Sequence, residues 1–242
     1  MNNKHDFDSA ASRIYLSAPV NALVEGIYEQ KMSVTSLMKH GDFGLGTFND
    51  LDGEMVLLDG NLYRAASDGT ITMVSPDILT PFACVTFFKP LSYEDSHDKM
   101  TYAQFQTWLL SMMPSPNIFY AFRIEGDFSL VRARSVPRQE NYRPLVEVAR
   151  DQPEFEYRDI SGTLAGFFTP SFMGSVNVPG LHLHFLSQDR TRGGHLLSCE
   201  IKRVRAEIQF LYTMELSLPL NEDYLLWDFQ RDIQDDLNRA EK

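Results

Sequence analysis

The stretch PGLHLHFLSQDRTRGGHLL, residues 179–197, decides how this chain folds. In a β-strand, side chains point to alternate faces with period two. Leu181, Leu183 and Phe185 therefore share one face, and His182 and His184 share the other. A face of leucine and phenylalanine belongs against a core. The segment SQDRTRGG is polar and glycine-rich, as a hairpin connection is. The strand that follows should place His195 beside the first two histidines.

Three imidazoles converging from two strands suit a catalytic zinc ion. Zinc takes His nitrogen at about 2.0–2.1 Å, and catalytic sites commonly use three protein ligands and keep one position open. Closed structural sites usually recruit cysteine. Cys199 shares a strand face with His195 but lies four residues on, roughly 13 Å along an extended chain. Imidazole does not single out zinc, and iron, manganese, nickel and cobalt fit similar sites. The spacing alone leaves the chemistry open. A zinc hydrolase or lyase that activates water fits it, and so does a metal-stabilised β-domain with no activity.

Working outward, residues 41–74 carry three Asp-Gly pairs, at 52–53, 59–60 and 68–69, between apolar runs. Asp-Gly there marks hairpins, because glycine tolerates positive φ. PFACVTFF, 81–88, reads as a buried strand. Ser33 to Lys39 reads as a short helix closed by Gly41, and Thr101 to Met113 as a longer one capped by Thr101. NIFYAFRIEGDFSLVRARSV reads as two strands turning at Glu125-Gly126-Asp127. Further strands are expected at 160–168, 181–186, 195–204 and 207–216. Asn221 to Lys242 reads as a helix with an apolar stripe of Leu226, Phe229, Ile233 and Leu237. PFACVTFF also aligns without gaps to PGLHLHFL, which suggests two related halves, only the second keeping a metal.

The chain has 242 residues, a formal net charge of −11 and two cysteines. An acidic surface argues against nucleic acid and anionic membrane as partners. An anionic substrate would need a locally positive site, from a metal ion or a buried arginine. Cys84 and Cys199 form no CxxC and read as buried, reduced thiols. The start, MNNKHDFDSAAS, has no basic segment followed by an apolar one, so no secretory signal is expected and a cytoplasmic location is.

Beyond these patterns the sequence resembles the acetolactate decarboxylase family from about Gly44 to the end. The resemblance rests on GLGTFNDLDGEMVLLDGNLYRAASDG (44–69), TPFACVTFF (80–88), RARSVPRQENYRPL (132–145), the run from Gly162 to Leu197 and the closing RAEK. That family combines G-F-x-x-P, P-G-x-H-x-H-F and D-R-x-x-G-G-H in this order. The resemblance implies a β-rich α+β fold in two domains, 1–140 and 141–242. It implies mixed, partly barrel-like β-sheets, a few flanking helices and usually a homodimer. It implies zinc, or another divalent transition metal, on His182, His184 and His195, with neither thiamine nor PLP. It also implies catalytic roles for Glu54, Arg134 (with Arg132 as competitor), Glu241 and Thr47. The substrate would be a small anionic 2-hydroxy-3-oxo acid, 2-acetolactate, converted to acetoin and CO2. Which glutamate delivers the proton is left open.

Overall fold

The computed structural model describes residues 12–75 and 77–241, with the side chains of Asn238 and Glu241 left out. Among the described residues twelve strands form two sheets, and short helices flank them, so the β-rich α+β expectation holds. The first sheet contains β1 (Arg13–Leu16), β2 (Phe43–Thr47), β3 (Glu54–Leu58), β4 (Asn61–Ala65), β5 (Ile71–Met73), β6 (Ala83–Thr86) and β12 (Thr213–Leu216). Its order is β12-β1-β6-β2-β3-β4-β5, with β12 parallel to β1 and the other neighbours antiparallel.

The second sheet contains β7 (Ser92–Ser96), β8 (Phe119–Arg134), β9 (Glu154–Thr169), β10 (Gly180–Ser187) and β11 (Gly193–Leu211), in the order β10-β9-β8-β11-β7. β10 also pairs with β11, so β8 to β11 close into a ring. Closure removes exposed edges. The helices are α1 (Val20–Val24), α2 (Val34–Leu37), α3 (Tyr102–Ser111), α4 (Leu145–Val148), α5 (Glu222–Leu226) and α6 (Gln234–Glu241).

Strand alternation sorts the core into layers. In β3, Val56 and Leu58 face the second sheet, while Met55 and Leu57 join an outer layer with Val34 and Leu37 of α2. In β10, Leu186 joins the layer between the sheets, while Leu183 and Phe185 point into the ring with Phe105 and Leu109 of α3. α3 starts where the sequence says it should. Thr101 accepts from Gln104 N, and the Gln104 side chain bonds back to the Thr101 backbone, a complete capping box. The hairpin between β3 and β4 turns on Asp59 and Gly60, both at positive φ (51° and 73°), as a two-residue turn needs. Cys84 and Cys199 are free and buried, as expected.

Several expectations fail for reasons of pairing. Residues 119–134 form one strand rather than two, because β9 and β11 pair with β8 on both sides of Gly126. Gly126 serves close approach instead of a turn: a Cβ there would lie 2.2 Å from the Arg203 carbonyl oxygen. The strands expected at 195–204 and 207–216 are one strand to Leu211, after which β12 crosses to the other sheet. Bulges between Leu196 and Arg203 bend β11, so that its start meets β10 and its end meets β7. The C-terminal helix is broken at Trp227, which is extended (φ −72°, ψ 142°). Leu226 is exposed, and of the expected stripe only Ile233 and Leu237 are buried. Lys242 lies outside the described residues. The echo between 81–88 and 179–186 has no structural counterpart. β6 sits inside an open sheet between strands distant in sequence, whereas β10 sits in the ring between its own sequence neighbours.

Gly126→Ala should therefore destabilise the fold by about 1–3 kcal/mol through overpacking. Ala at Gly60, where nothing lies within 4 Å, should cost only the roughly 1–2 kcal/mol of a left-handed backbone. Urea denaturation of the two variants checks the ranking.

Candidate metal centre

The alternation that builds the inter-sheet layer also builds the site. His182 and His184 share the face of Leu186, and His195 lies opposite the ring-facing side chain of Leu196. His184 is the cross-strand partner of His195, and His195 is the cross-strand partner of Arg134. One row across β10, β11 and β8 thus carries two imidazoles and a guanidinium. His182 completes a cluster whose ring centroids are 4.9 to 5.3 Å apart. One ring nitrogen from each histidine lies within 4.8 Å of the other two, so the three could hold one metal ion.

From the facing sheet, β3 supplies two groups. The Met55 carbonyl oxygen lies 2.8 Å from His184 Nδ1. A carbonyl only accepts, so Nδ1 donates and the Nε2 lone pair is left for a ligand. His184 Nε2 is buried and takes no hydrogen bond, which is the state a metal ligand would be in. Glu54 Oε2 lies 3.6 Å from that same nitrogen. Glu54 opens β3 opposite Thr47, the last residue of β2, and both are buried. The Thr47 hydroxyl donates to the Gly53 carbonyl at 2.8 Å and so fixes the residue before Glu54.

The histidines, Glu54 and Thr47 line a small cavity of about 30 Å³ with Arg134, which is 4% exposed, and with apolar neighbours that include Leu23, Leu51, Phe82 and Leu145. Small-ligand sites share this make-up of mostly apolar walls with a few polar groups. Arg132, the alternative to Arg134, points away and pairs with Glu154 on the surface at 2.8 Å. Ala240 of α6 also lines the cavity, so the C-terminal segment folds back onto it. The side chain of the adjacent Glu241 lies outside the described residues. Two contributors escaped the sequence reading. The Met55 carbonyl is backbone and leaves no residue-type signal. Gln152, between α4 and β9, lines the cavity with its Oε1 buried and without a hydrogen bond.

Burial keeps the ligands neutral. His182 is pushed down to about 3, first by burial and then by the positive charge of Arg134. His184 is held well below the usual imidazole range by burial, with His182 adding to it. Metal ligation requires neutral imidazole. Stability follows with a definite sign. As pH falls below about 6.5, unfolded His182 takes a proton that the folded protein refuses, and the loss accumulates down to about 3. The chelator-treated protein should therefore lose up to about 1.4 kcal/mol per pH unit for each such histidine. Urea denaturation between pH 7.5 and 5 should show a shallower slope in His182→Asn, and an unchanged slope would refute the cause.

Among the described residues, no helix is long and apolar enough to cross a membrane. A family model for alpha-acetolactate decarboxylase matches residues 14–231. The chain is 39% identical to an alpha-acetolactate decarboxylase of Methanosarcina mazei, over 97% of this chain and 82% of that protein. It is 40% identical to that of Methylococcus capsulatus, over 98% and 92% respectively. The crystal structure of the Bacillus subtilis strain 168 protein superposes with a TM-score of 0.92 at 37% identity, covering 95% of this chain and 99% of that one. Matched by that family model over most of its length, and by relatives and a solved structure over more than nine-tenths of it, the chain belongs to the alpha-acetolactate decarboxylase family.

Proposed function

We propose that this chain decarboxylates 2-acetolactate to acetoin and CO2 at a divalent ion, zinc in the first instance, held by His182, His184 and His195. The observation that carries the reading is the meeting of three buried histidines, Glu54 and Arg134 on one cavity in a member of this family. Breaking the bond to the carboxylate leaves an electron pair on C2, beside the ketone, and that carbon must then receive a proton. A bound ion would supply Lewis acidity toward the developing negative charge, which thiamine or PLP would otherwise have to take up.

The chain's own groups do the rest. Arg134 orients the anionic substrate in a site shielded from water, where a fixed positive charge acts strongly. Its placement also answers the acidic surface, since the charge that attracts substrate is local. Glu54, positioned by Thr47 through the Gly53 carbonyl, is the proton donor we assign to C2. Ala240 of α6 lines the same cavity, and to its neighbour Glu241 we assign the ordering of the site.

Racemic 2-acetolactate given to zinc-loaded protein should yield acetoin without thiamine or PLP. His184→Ala should lose both bound metal and turnover, read by metal analysis and acetoin assay. Glu54→Gln should retain the metal and lose about 10²- to 10⁴-fold in kcat, the usual worth of a general acid. A Glu54→Gln enzyme with unchanged kcat removes Glu54 from the proton step.

A further inference from the structure

β2 and β3 are joined by the loop Phe48-Asn49-Asp50-Leu51-Asp52-Gly53, which sits between Thr47 and Glu54 in sequence. Asp50 and Leu51 both have left-handed backbone, at φ 63° and 53°. Residues with a Cβ are strained there, and aspartate tolerates it better than leucine. Such strain persists only where the surroundings over-determine it. Here they do. Asp50 N donates to the Tyr28 carbonyl at 3.0 Å, and its own carbonyl accepts from Gln139 N at 2.7 Å. Asp50 Oδ1 accepts from the Tyr142 hydroxyl at 2.5 Å, and Oδ2 from Arg138 Nη2 at 2.7 Å. The three donors Arg138, Gln139 and Tyr142 lie within the segment that follows Arg134 in the chain.

The strained path leaves Leu51 1% exposed and on the cavity wall, with Leu23, Phe82, Val136 and Leu145 beside it. It has no polar atom to offer the reaction. What it offers is a fixed apolar surface next to the carboxylate of Glu54. We infer that Leu51 is the specificity-determining wall that limits the 2-alkyl substituent of the substrate, and that the bonds on Asp50 hold that wall in place. The inference rests on the decarboxylase reading for the identity of the substrate. Asp50 and Tyr142 are positioning residues in it, because they act through Leu51.

One methylene against a hydrophobic wall is discriminated by roughly 10- to 200-fold. The test compares kcat/KM for racemic 2-acetolactate with that for its homologue bearing a 2-ethyl group. Leu51→Gly removes the side chain and suits the left-handed backbone, and Leu51→Ala is its companion. In both, the ethyl-to-methyl ratio should rise at least about 10-fold, mainly through KM, with bound zinc unchanged. Tyr142→Phe alters a half-exposed residue, and it should move the ratio in the same direction by a smaller factor. A ratio within twofold of wild type in folded Leu51 variants overturns the inference. If neither Leu51 variant folds, Tyr142→Phe decides by the same criterion.

Failure of the functional reading looks different. Wild-type protein would then release no acetoin from either substrate. The wall would be judged by calorimetric binding of 2-hydroxy-2-methylpropanoate and 2-ethyl-2-hydroxybutanoate to the zinc-loaded protein. Selective strengthening for the larger acid in Leu51→Gly supports the inference, whereas equal changes, or no binding of either acid, overturn it.

Discussion

One hydrogen bond ties the chemistry to the fold. His184 Nδ1 donates to the Met55 carbonyl, from the ring to the open sheet, at 2.8 Å. It crosses the layer between the sheets, satisfies a buried carbonyl and fixes which nitrogen of His184 can ligate. Because Met55 is the neighbour of Glu54, the same contact sets the height of that carboxylate over the histidines. The three histidines and Glu54 are therefore aligned by the packing of two sheets. This kind of support holds a constellation within the small tolerances that catalysis needs.

The cavity combines groups that are costly to bury. Three imidazoles are buried, His182 and His184 are held neutral by that burial, and the side chains of Arg134 and Glu54 share the space. Buried polar groups are tolerated when they find partners. Arg134 makes the histidines harder to protonate, since a second positive charge nearby is unfavourable. The arginine thus has two effects at once. It puts a positive charge where an anionic substrate would bind, and it keeps His182 and His184 in the neutral form that a metal ion would require.

The legible part of this molecule is what strand parity and turn chemistry determine locally. The alternation LHLHF placed His182 and His184 on one face, and Asp59-Gly60 marked a turn that exists. The Thr101 cap was readable because a capping box spans four residues. What could not be read depends on partners far away in sequence. Glu125-Gly126-Asp127 looks like a turn until β9 and β11 are known to flank it. The length of β11 depends on bulges that let one strand serve both β10 and β7. The break at Trp227 has no glycine or proline to announce it. At the site, Glu54 and Arg134 were named through the resemblance, because a single carboxylate in a hairpin and a single arginine in a strand carry no pattern of their own.

The loop 49–53 shows why the polar and apolar sides of the cavity cannot be treated separately. Thr47 bonds to Gly53, Asp50 is bonded at every polar atom, and Leu51 and Glu54 both enter the cavity within four residues. A relaxed backbone here would need fewer constraints, but it would leave both the carboxylate and the apolar wall free to shift. A reaction that leaves an electron pair on one carbon and then protonates it gains from holding the acid and the substrate's alkyl group in one rigid frame. The left-handed pair Asp50-Leu51 is the local expense of that frame, and the segment after Arg134 supplies the bonds that sustain it. The guanidinium that would bind the substrate and the clamp that shapes the wall thus belong to one continuous stretch of chain, so displacement of either would be felt by the other.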